Sequence, residues 1–258
     1  MLAELLNVSP EWSANFLLVF ARLSAAVVPM PLLGARSVPP QTKIGLALLL
    51  SLIVLPLNAR PEAVPTDLLR FASILGSEVL VGLAMGIAVM LVFQAIEMGA
   101  GMVGLQIGFS FGQVVDPLTG VQSGVMELFY RLVATLVFFV VNGHYIVIVG
   151  LVHTFEVVPA GSADLSLIAG ERVAPFFAAL FIVAIRISLP VTAALILTDL
   201  ALGIVGRAVP QMNVLVVGLP VKVGVGIFVL AVSTPLLVAF TGSFFTSTLL
   251  EVNGFLRP

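Results

Sequence analysis

The chain has 258 residues, of which 60% are hydrophobic and only 9% are charged. A typical soluble domain is about 45–50% apolar and about 25% charged, so this composition excludes an ordinary soluble globule and predicts an integral membrane protein. The net charge of −2 argues against a nucleic-acid partner, and the absence of cysteine excludes disulfides, thiolate metal sites and cysteine nucleophiles.

Six apolar segments follow one another along the chain, at residues 16–33, 44–59, 71–96, 132–155, 173–202 and 223–250. A helix that crosses a bilayer needs about 20 such residues, and lipid offers no hydrogen-bond partners to any other backbone structure except a closed barrel. Prolines interrupt several segments, and Asn142-Gly143 marks a turn or kink within the fourth. We predict an all-α membrane protein with about six kinked helices, forming a single domain over residues 1–258. The lysines and arginines that the loops and the tail carry divide four against four between the two sides, so the topology stays open.

Charged residues lie inside or at the edges of these segments. Each costs roughly 2.5–3.5 kcal/mol at the centre of a membrane helix, so they should face protein or water rather than lipid. One interpretation is a path for a substrate or for protons. The other is ion pairing, either within the chain or with partner subunits, that fixes an assembly. No spacing typical of a relay is present, which favours the second interpretation for Arg22, Glu78, Arg131, Arg186 and Asp199.

Glycine recurs in two distinct settings. Gly82 and Gly86 are four residues apart, which predicts a smooth helix face that lets a neighbouring backbone approach. The sequence GAGMVG, at 99–104, matches the dinucleotide fingerprint G-x-G-x-x-G. No strand precedes it and no acidic residue follows about 20 positions later, so we reject nucleotide binding.

The stretch 99–124 contains seven glycines, each of which costs a helix up to about 1 kcal/mol relative to alanine. It also mixes polar and turn-forming residues with side chains too apolar for a solvated loop. Irregular backbone of this kind is tolerated in a membrane protein only against protein or beside a cavity. The stretch therefore predicts a re-entrant or pore-occluding loop. Its distinctive residues are Met102, Gln106, Phe109, Phe111, Gln113, Asp116 and Pro117, with Gly104, Gly108, Gly112 and Gly120 as hinges.

Catalytic and metal-binding patterns are missing from the sequence. His144 and His153 are nine residues apart, which is not the spacing of a helical metal pair. No Ser/His/Asp arrangement or paired-carboxylate spacing stands out. We therefore expect no metal, no cofactor and no enzymatic activity.

Four stretches, taken together and in order, resemble the FliR family of flagellar biosynthesis proteins, which includes the equivalent subunits of virulence type III secretion systems. They are RLSAAVVPMPLLGARSVPPQTKIGLALLLSLIVLP from Arg22, GFSFGQVVDPLTGVQSG from Gly108, NGHYIVIVGLVHTF from Asn142, and LPVTAALILTDLALGIVGRAVPQMNVLVVGLPVKVGVG from Leu189. The likeness extends over nearly the whole chain, and the fourth stretch is the most specific.

The resemblance implies a subunit of a helical, hetero-oligomeric export gate in the bacterial inner membrane, within the flagellar basal body. In that family the fold looks like a FliP-like hairpin joined to a FliQ-like one. Its members assemble with FliP and FliQ into the pore for unfolded export substrates, with FlhB around the gate and FlhA feeding it. The resemblance implies that the energy for export comes from other components of the export apparatus.

The resemblance also implies residue roles. The inward loop that helps to close the family's pore matches residues 106–122, where Met102, Phe109 and Phe111 would supply apolar closure and the glycines would let the loop swing aside. Residues of the fourth stretch would make subunit contacts rather than touch substrate: Arg207, Gln211, Asn213 and Lys222. Two alternatives stay open, which are a secondary transporter that uses the intramembrane charges for a small solute, and the virulence counterpart of the flagellar subunit.

Overall fold

A computed structural model describes residues 10–31, 38–56, 67–109, 124–162, 173–211 and 213–254. Within these ranges the chain is all-helical, without a strand, which confirms the predicted fold class. The helices are α1 (Pro10–Val27), α2 (Pro40–Val54), α3 (Leu68–Ile107), α4 (Val125–Val140), α5 (Gly143–Val157), α6 (Val173–Ala208) and α7 (Val214–Gly254).

Three helices are long and apolar enough to cross a membrane: Leu68–Ile107, Ala174–Ala208 and Val216–Thr248. The bent pair formed by α4 and α5 would make a fourth span if counted as one, whereas α2 is apolar but shorter. These lengths and compositions agree with a protein embedded in a membrane.

The chain contains two compact units, and α3 contributes to both of them. The first unit comprises Met1–Leu91, Asn142–Ala174 and Ser247–Pro258. Here α1 packs on α2 and crosses α3 so closely that a Cβ added at Gly82 or Gly86 would overlap the carbonyl oxygens of Arg22 or Ala26. The predicted role of these glycines in helix packing is therefore confirmed.

The second unit comprises Val92–Val141 and Pro175–Thr246. Its core includes three aromatic rings from α3, α4 and α7, namely Phe93, Phe138 and Phe245, whose centroids lie 4.9–5.4 Å apart. Offset and edge-to-face pairs at such distances contribute about 0.5–1.5 kcal/mol each beyond their buried area. The rings therefore help to join these three helices within the unit.

The helix α3 is longer than the sequence predicted. Residues 99–107, which were expected to begin an irregular loop, continue the helix, and the helix ends only where Gly108 adopts φ +100°. The prediction was wrong because it considered only the low helix propensity of glycine and not the packing between helices. At Gly99, an added Cβ would lie 2.7 Å from the Ala184 carbonyl oxygen, so the missing side chain permits a close helix contact that offsets the cost of glycine.

The fourth apolar segment is two helices rather than one. The break falls at Val141-Asn142, where Asn142 has the left-handed φ of 55° that asparagine tolerates better than most residues. The expectation of a kink at Asn142-Gly143 is thus confirmed, although the segment 132–155 is not continuous.

Prolines interrupt the last two segments less than expected, because α6 continues through Pro190 and α7 continues through Pro220 and Pro235. Next to Pro235 the Thr234 hydroxyl donates to the Leu230 carbonyl at 2.8 Å, the back-bond that a threonine within a helix can make. Since α7 begins at Val214, Lys222 lies on a helix and not in a loop.

Candidate functional site

Arg22 and Glu78 form a buried ion pair in the first unit. The Arg22 Nε–H donates to Glu78 Oε2 at 2.6 Å, and the two side chains are 1% and 0% exposed. The other carboxylate oxygen, Glu78 Oε1, accepts the backbone N–H of Gly161 at 2.8 Å. Both charges therefore have a partner inside the chain.

A second nitrogen of Arg22 holds the end of α5. Its Nη1 donates to the carbonyl oxygens of Val158 and Thr154 at 2.8 and 3.2 Å. Its guanidinium carbon lies 4.2 Å from the ring centroid of Phe155, within the range of a cation–π interaction. Breaking a buried pair by removing one partner typically costs about 3–5 kcal/mol, so this cluster is a fixed joint between α1, α3 and α5.

The second unit carries a helical hairpin made by the last part of α3 and by α4. A bidentate pair joins its stems, with Arg131 Nε and Nη2 donating to the Glu97 carboxylate at 2.7 and 2.9 Å. Near the start of α4, Glu127 Oε2 accepts the backbone N–H of Gly124 at 2.9 Å and thereby caps the helix. Residues 110–123, which lie outside the described ranges, follow α3 in the sequence and precede this first turn of α4.

A polar cluster lies at the end of α3 and consists of Gln106, Asp199 and Lys222. The Gln106 Nε2–H donates to Asp199 Oδ2 at 3.2 Å, and Lys222 Nζ donates to the same oxygen at 3.0 Å. The Asp199 side chain is 43% exposed. We call these three residues the exit cluster, because Gln106 is two residues before the left-handed Gly108.

Tight apolar contacts surround the exit cluster. A Cβ added at Gly226 would lie 2.7 Å from Ile107 Cγ1, and one added at Gly108 would lie 2.8 Å from Leu219 Cδ1. On the α6 side, the Ser188 hydroxyl points to Met102 Sδ at 3.6 Å. The end of α3 is therefore seated against both α6 and α7 within the second unit.

The predicted loop residues divide into three groups. Met102, Gly104 and Gln106 lie on the last turns of α3, so their assignment to an irregular loop is wrong. Gly108 and Phe109 form the turn that follows the helix, and Phe109 is half-buried. The rest lie outside the described residues: Phe111, Gly112, Gln113, Asp116, Pro117 and Gly120.

Four of the five predicted intramembrane charges have a partner within the chain, namely Arg22, Glu78, Arg131 and Asp199. Arg186 differs, since it is exposed on α6 and makes no ion pair with the part of the chain that the structure describes. Its role in an assembly stays a prediction.

Residues of the fourth stretch surround the connection between α6 and α7. Arg207 lies in the last turn of α6, where a cation interacts favourably with the helix dipole. Gln211 is exposed, and Asn213 Oδ1 accepts the Val216 N–H at 3.4 Å at the start of α7. Lys222 instead belongs to the exit cluster, which the sequence did not reveal.

Glu97 and Glu127 were missed by the sequence analysis. Both stand beside apolar segments rather than inside them, since Glu97 directly follows the third segment and Glu127 precedes the fourth. The available signal was Arg131, a charge at a segment edge that needs a nearby carboxylate. Its spacing of 34 residues from Glu97 becomes meaningful only when the hairpin register is known.

Within the described ranges, no three His, Cys, Asp or Glu side chains lie close enough together to hold a metal ion. His153 Nδ1 lies 2.6 Å from Glu156 Oε2, one turn along α5. The polar clusters of this part of the chain thus consist of ion pairs and hydrogen bonds between its own residues.

Comparison with known proteins gives a consistent result over nearly the whole chain. The profile of the family described as "Bacterial export proteins, family 1" matches residues 13–248. The chain is 37% identical to the flagellar biosynthetic protein FliR of Bacillus subtilis (strain 168) over 242 residues, covering 91% of each protein. It is 30% identical to FliR of Escherichia coli (strain K12), covering 92% of each. It is 31% identical to FliR of Aquifex aeolicus (strain VF5), covering 89% of this chain and 88% of the relative.

A family match of this extent, with identities of 30% or more along most of both chains, leaves no large region of either protein unmatched. The all-helical structure with its long apolar helices agrees with it. The chain therefore belongs to family 1 of the bacterial export proteins, the family of the flagellar biosynthetic protein FliR.

Proposed function

We propose that this chain is a subunit of the flagellar type III export gate in the bacterial inner membrane. It assembles with FliP and FliQ into the pore through which unfolded substrates enter, beside FlhB and FlhA. Membership of the export family and the flagellar relatives support the role in flagellar protein export. The same relatives favour the flagellar over the virulence system.

The observation that carries the gating role is the hairpin of the second unit. Its two stems are fixed by Glu97–Arg131 and by the exit cluster, whereas residues 106–122 include the left-handed Gly108 at their start. A segment held at both ends by a packed scaffold and rich in glycine suits a plug that moves while its anchors stay in place. Phe109 and Phe111 would then provide apolar closure of the pore.

The transporter alternative receives little support from the buried charges. A solute site needs polar groups that are left available to the solute, but the Glu78 carboxylate already accepts from Arg22 and Gly161. Asp199 likewise accepts from two side chains. These groups serve to join helices.

Arg186 is the charge whose counterpart we place in a neighbouring subunit. It is exposed amid the apolar side chains Ile182, Ile185 and Leu189, each at least half exposed. An uncompensated arginine at the centre of a membrane helix costs roughly 2.5–3.5 kcal/mol on insertion scales. A carboxylate on a partner helix would remove that cost.

Native mass spectrometry of the tagged chain, purified from its own membranes in mild detergent, tests this proposal. We expect a fixed multi-copy complex that contains two smaller hydrophobic partners. A monomer or homodimer under several detergents would overturn the proposal and favour the transporter. Arg186→Met should weaken partner retention, and Arg131→Met is the matched control because Arg131 already pairs within the chain.

A further inference from the structure

Arg186 is the single formal charge in a long apolar part of α6. Residues 174–185 before it and residues 187–198 after it carry no formal charge. At 1.5 Å per residue, roughly 18 Å of apolar helix lies on either side of it, which exceeds half the thickness of a bilayer core. An arginine near a helix end can extend to the lipid headgroups, but Arg186 is far from both ends of this stretch. Its position therefore favours a counterpart in protein over one in lipid.

Pro190 removes a hydrogen bond from the backbone carbonyl of this same arginine. Within a helix the N–H of residue 190 would donate to the Arg186 carbonyl oxygen, and proline has no N–H. The nearest described hydroxyls along the chain are used on other carbonyls. Ser188 donates to the Ile185 carbonyl at 3.0 Å, and Thr192 donates to the carbonyl of residue 188 at 3.0 Å. The Arg186 carbonyl thus lacks its usual donor.

The guanidinium and this carbonyl belong to one outward face of α6. Positions 186, 190 and 193 share a helix face because they are four and three residues apart. Arg186 and Ala193 are exposed, and Pro190 is half-buried. The small side chain of Ala193 lets a neighbouring helix approach the backbone closely. One turn of α6 therefore offers a cation and a hydrogen-bond acceptor to the same neighbour.

We propose that this turn of α6 is a docking point for a membrane helix of a partner subunit that carries two complementary groups. They are a carboxylate for the Arg186 guanidinium and a hydroxyl or amide donor for the Arg186 carbonyl. The inference rests on the proposed function, because it requires a gate with partner subunits, and it specifies the chemistry of the partner. Two contacts of opposite polarity also select one register between the helices, which a carboxylate alone would not do.

The test measures the share of tagged chain that keeps its partners when the intact gate is purified in mild detergent. Arg186→Lys retains the charge, Arg186→Glu reverses it, and Pro190→Ala supplies an N–H to the Arg186 carbonyl. Pro235→Ala is the matched control, because Pro235 also lies inside an apolar helix but the residue four positions earlier is Ala231. The thermal aggregation midpoint of each variant records stability separately.

We expect partner retention to fall roughly tenfold or more for Arg186→Glu, because like charges would meet across the contact, and to fall less for Arg186→Lys. For Pro190→Ala we expect a fall of roughly twofold to tenfold, in keeping with the loss of one net hydrogen bond. Its thermal stability should be unchanged or raised, because alanine suits a helix interior better than proline. Pro235→Ala should retain partners as wild type does.

A charge swap then identifies the partner group. In the Arg186→Glu background, each carboxylate in the membrane segments of the co-purified partners is replaced by lysine in turn, and one replacement should restore retention. Loss of wild-type retention on removal of anionic lipid, with no swap restoring Arg186→Glu, would overturn the docking point in favour of a lipid phosphate.

The controls separate this inference from the proposed function. A wild-type chain without partners would contradict the gate itself. If the wild-type complex forms, normal retention in either Arg186→Glu or Pro190→Ala would leave the gate standing and overturn the docking point, since the docking point requires both groups. An equal fall for Pro190→Ala and Pro235→Ala would overturn it as well, because the effect would then belong to helix straightening.

Discussion

The two polar clusters of this chain use the same chemistry in opposite surroundings. Arg22 and Glu78 in the first unit are sealed from solvent, and each makes further hydrogen bonds to the last turn of α5 or to the turn that follows it. In the second unit, Asp199 and Lys222 are partly exposed, and Lys222 and Gln106 donate to the same carboxylate oxygen of Asp199. Burial makes an ion pair costly to break, whereas exposure makes it cheap and reversible. We infer that the first cluster is a fixed joint and that the second is the more easily broken of the two.

The largest expected effect is loss of the buried pair. Arg22→Met should lower the free energy of unfolding by about 3–5 kcal/mol, because Glu78 would remain buried without its counter-charge. The measurement is the amount of chain in the membrane together with the thermal aggregation midpoint in detergent.

The double variant Arg22→Met/Glu78→Met provides the matched control for that prediction. It removes both charges and should recover part of the loss, although the bonds to Gly161 and Val158 are still missing. Equal stability of Arg22→Met and wild type would show that the pair is not a fixed joint.

A smaller effect is expected from the glycine that seats α3 against α1. Gly82→Ala places a methyl group on the Arg22 carbonyl and should destabilise the chain by about 1–3 kcal/mol through overpacking. Gly203→Ala is its control, because an added Cβ at Gly203 meets nothing within 4 Å. There the same change should stabilise α6 by up to about 1 kcal/mol.

Both glycine variants can be compared by thermal aggregation in the same detergent. Parallel shifts of the two midpoints in the same direction would contradict the packing argument. Opposite shifts would show that the close approach of α1 and α3, rather than glycine flexibility, explains Gly82.

The smallest effect on stability is expected for the Glu97–Arg131 pair, which joins α3 to α4. Arg131 is 44% exposed, so Glu97→Gln should change the free energy of unfolding by only about 0–1 kcal/mol. The aggregation midpoint again provides the measurement, with Gln94→Leu as a neutral exposed change on the same helix. A loss of stability as large as that of Arg22→Met would contradict the conclusion that the exposed Glu97–Arg131 pair contributes less than the buried Arg22–Glu78 pair.

Local and compositional information explains what the sequence predicted correctly. The apolar runs and low charge indicated helices in a membrane, the spacing of Gly82 and Gly86 indicated a packed face, and Asn142-Gly143 indicated a kink. Each of these features depends on residues within one or two turns.

Long-range register explains what the sequence could not predict. Glu78 lies 56 residues from Arg22, and Asp199 lies 93 residues from Gln106, so no local pattern pairs them. The prediction of an irregular loop at 99–107 was wrong for the same reason. Gly99 and Gly226 make contacts between helices that only the folded chain provides. The three members of the exit cluster were accordingly predicted in three separate roles.

Hydrogen–deuterium exchange of the purified chain in mild detergent tests the contrast between the buried and the exposed cluster most directly. We predict slower exchange in the peptide covering residues 78–86 than in the peptide covering 99–109, because the first lies beside a sealed ion pair and the second beside a partly exposed one. Equal exchange in the two peptides, or faster exchange at 78–86, would contradict the division of the chain into a fixed first cluster and a more easily broken second one.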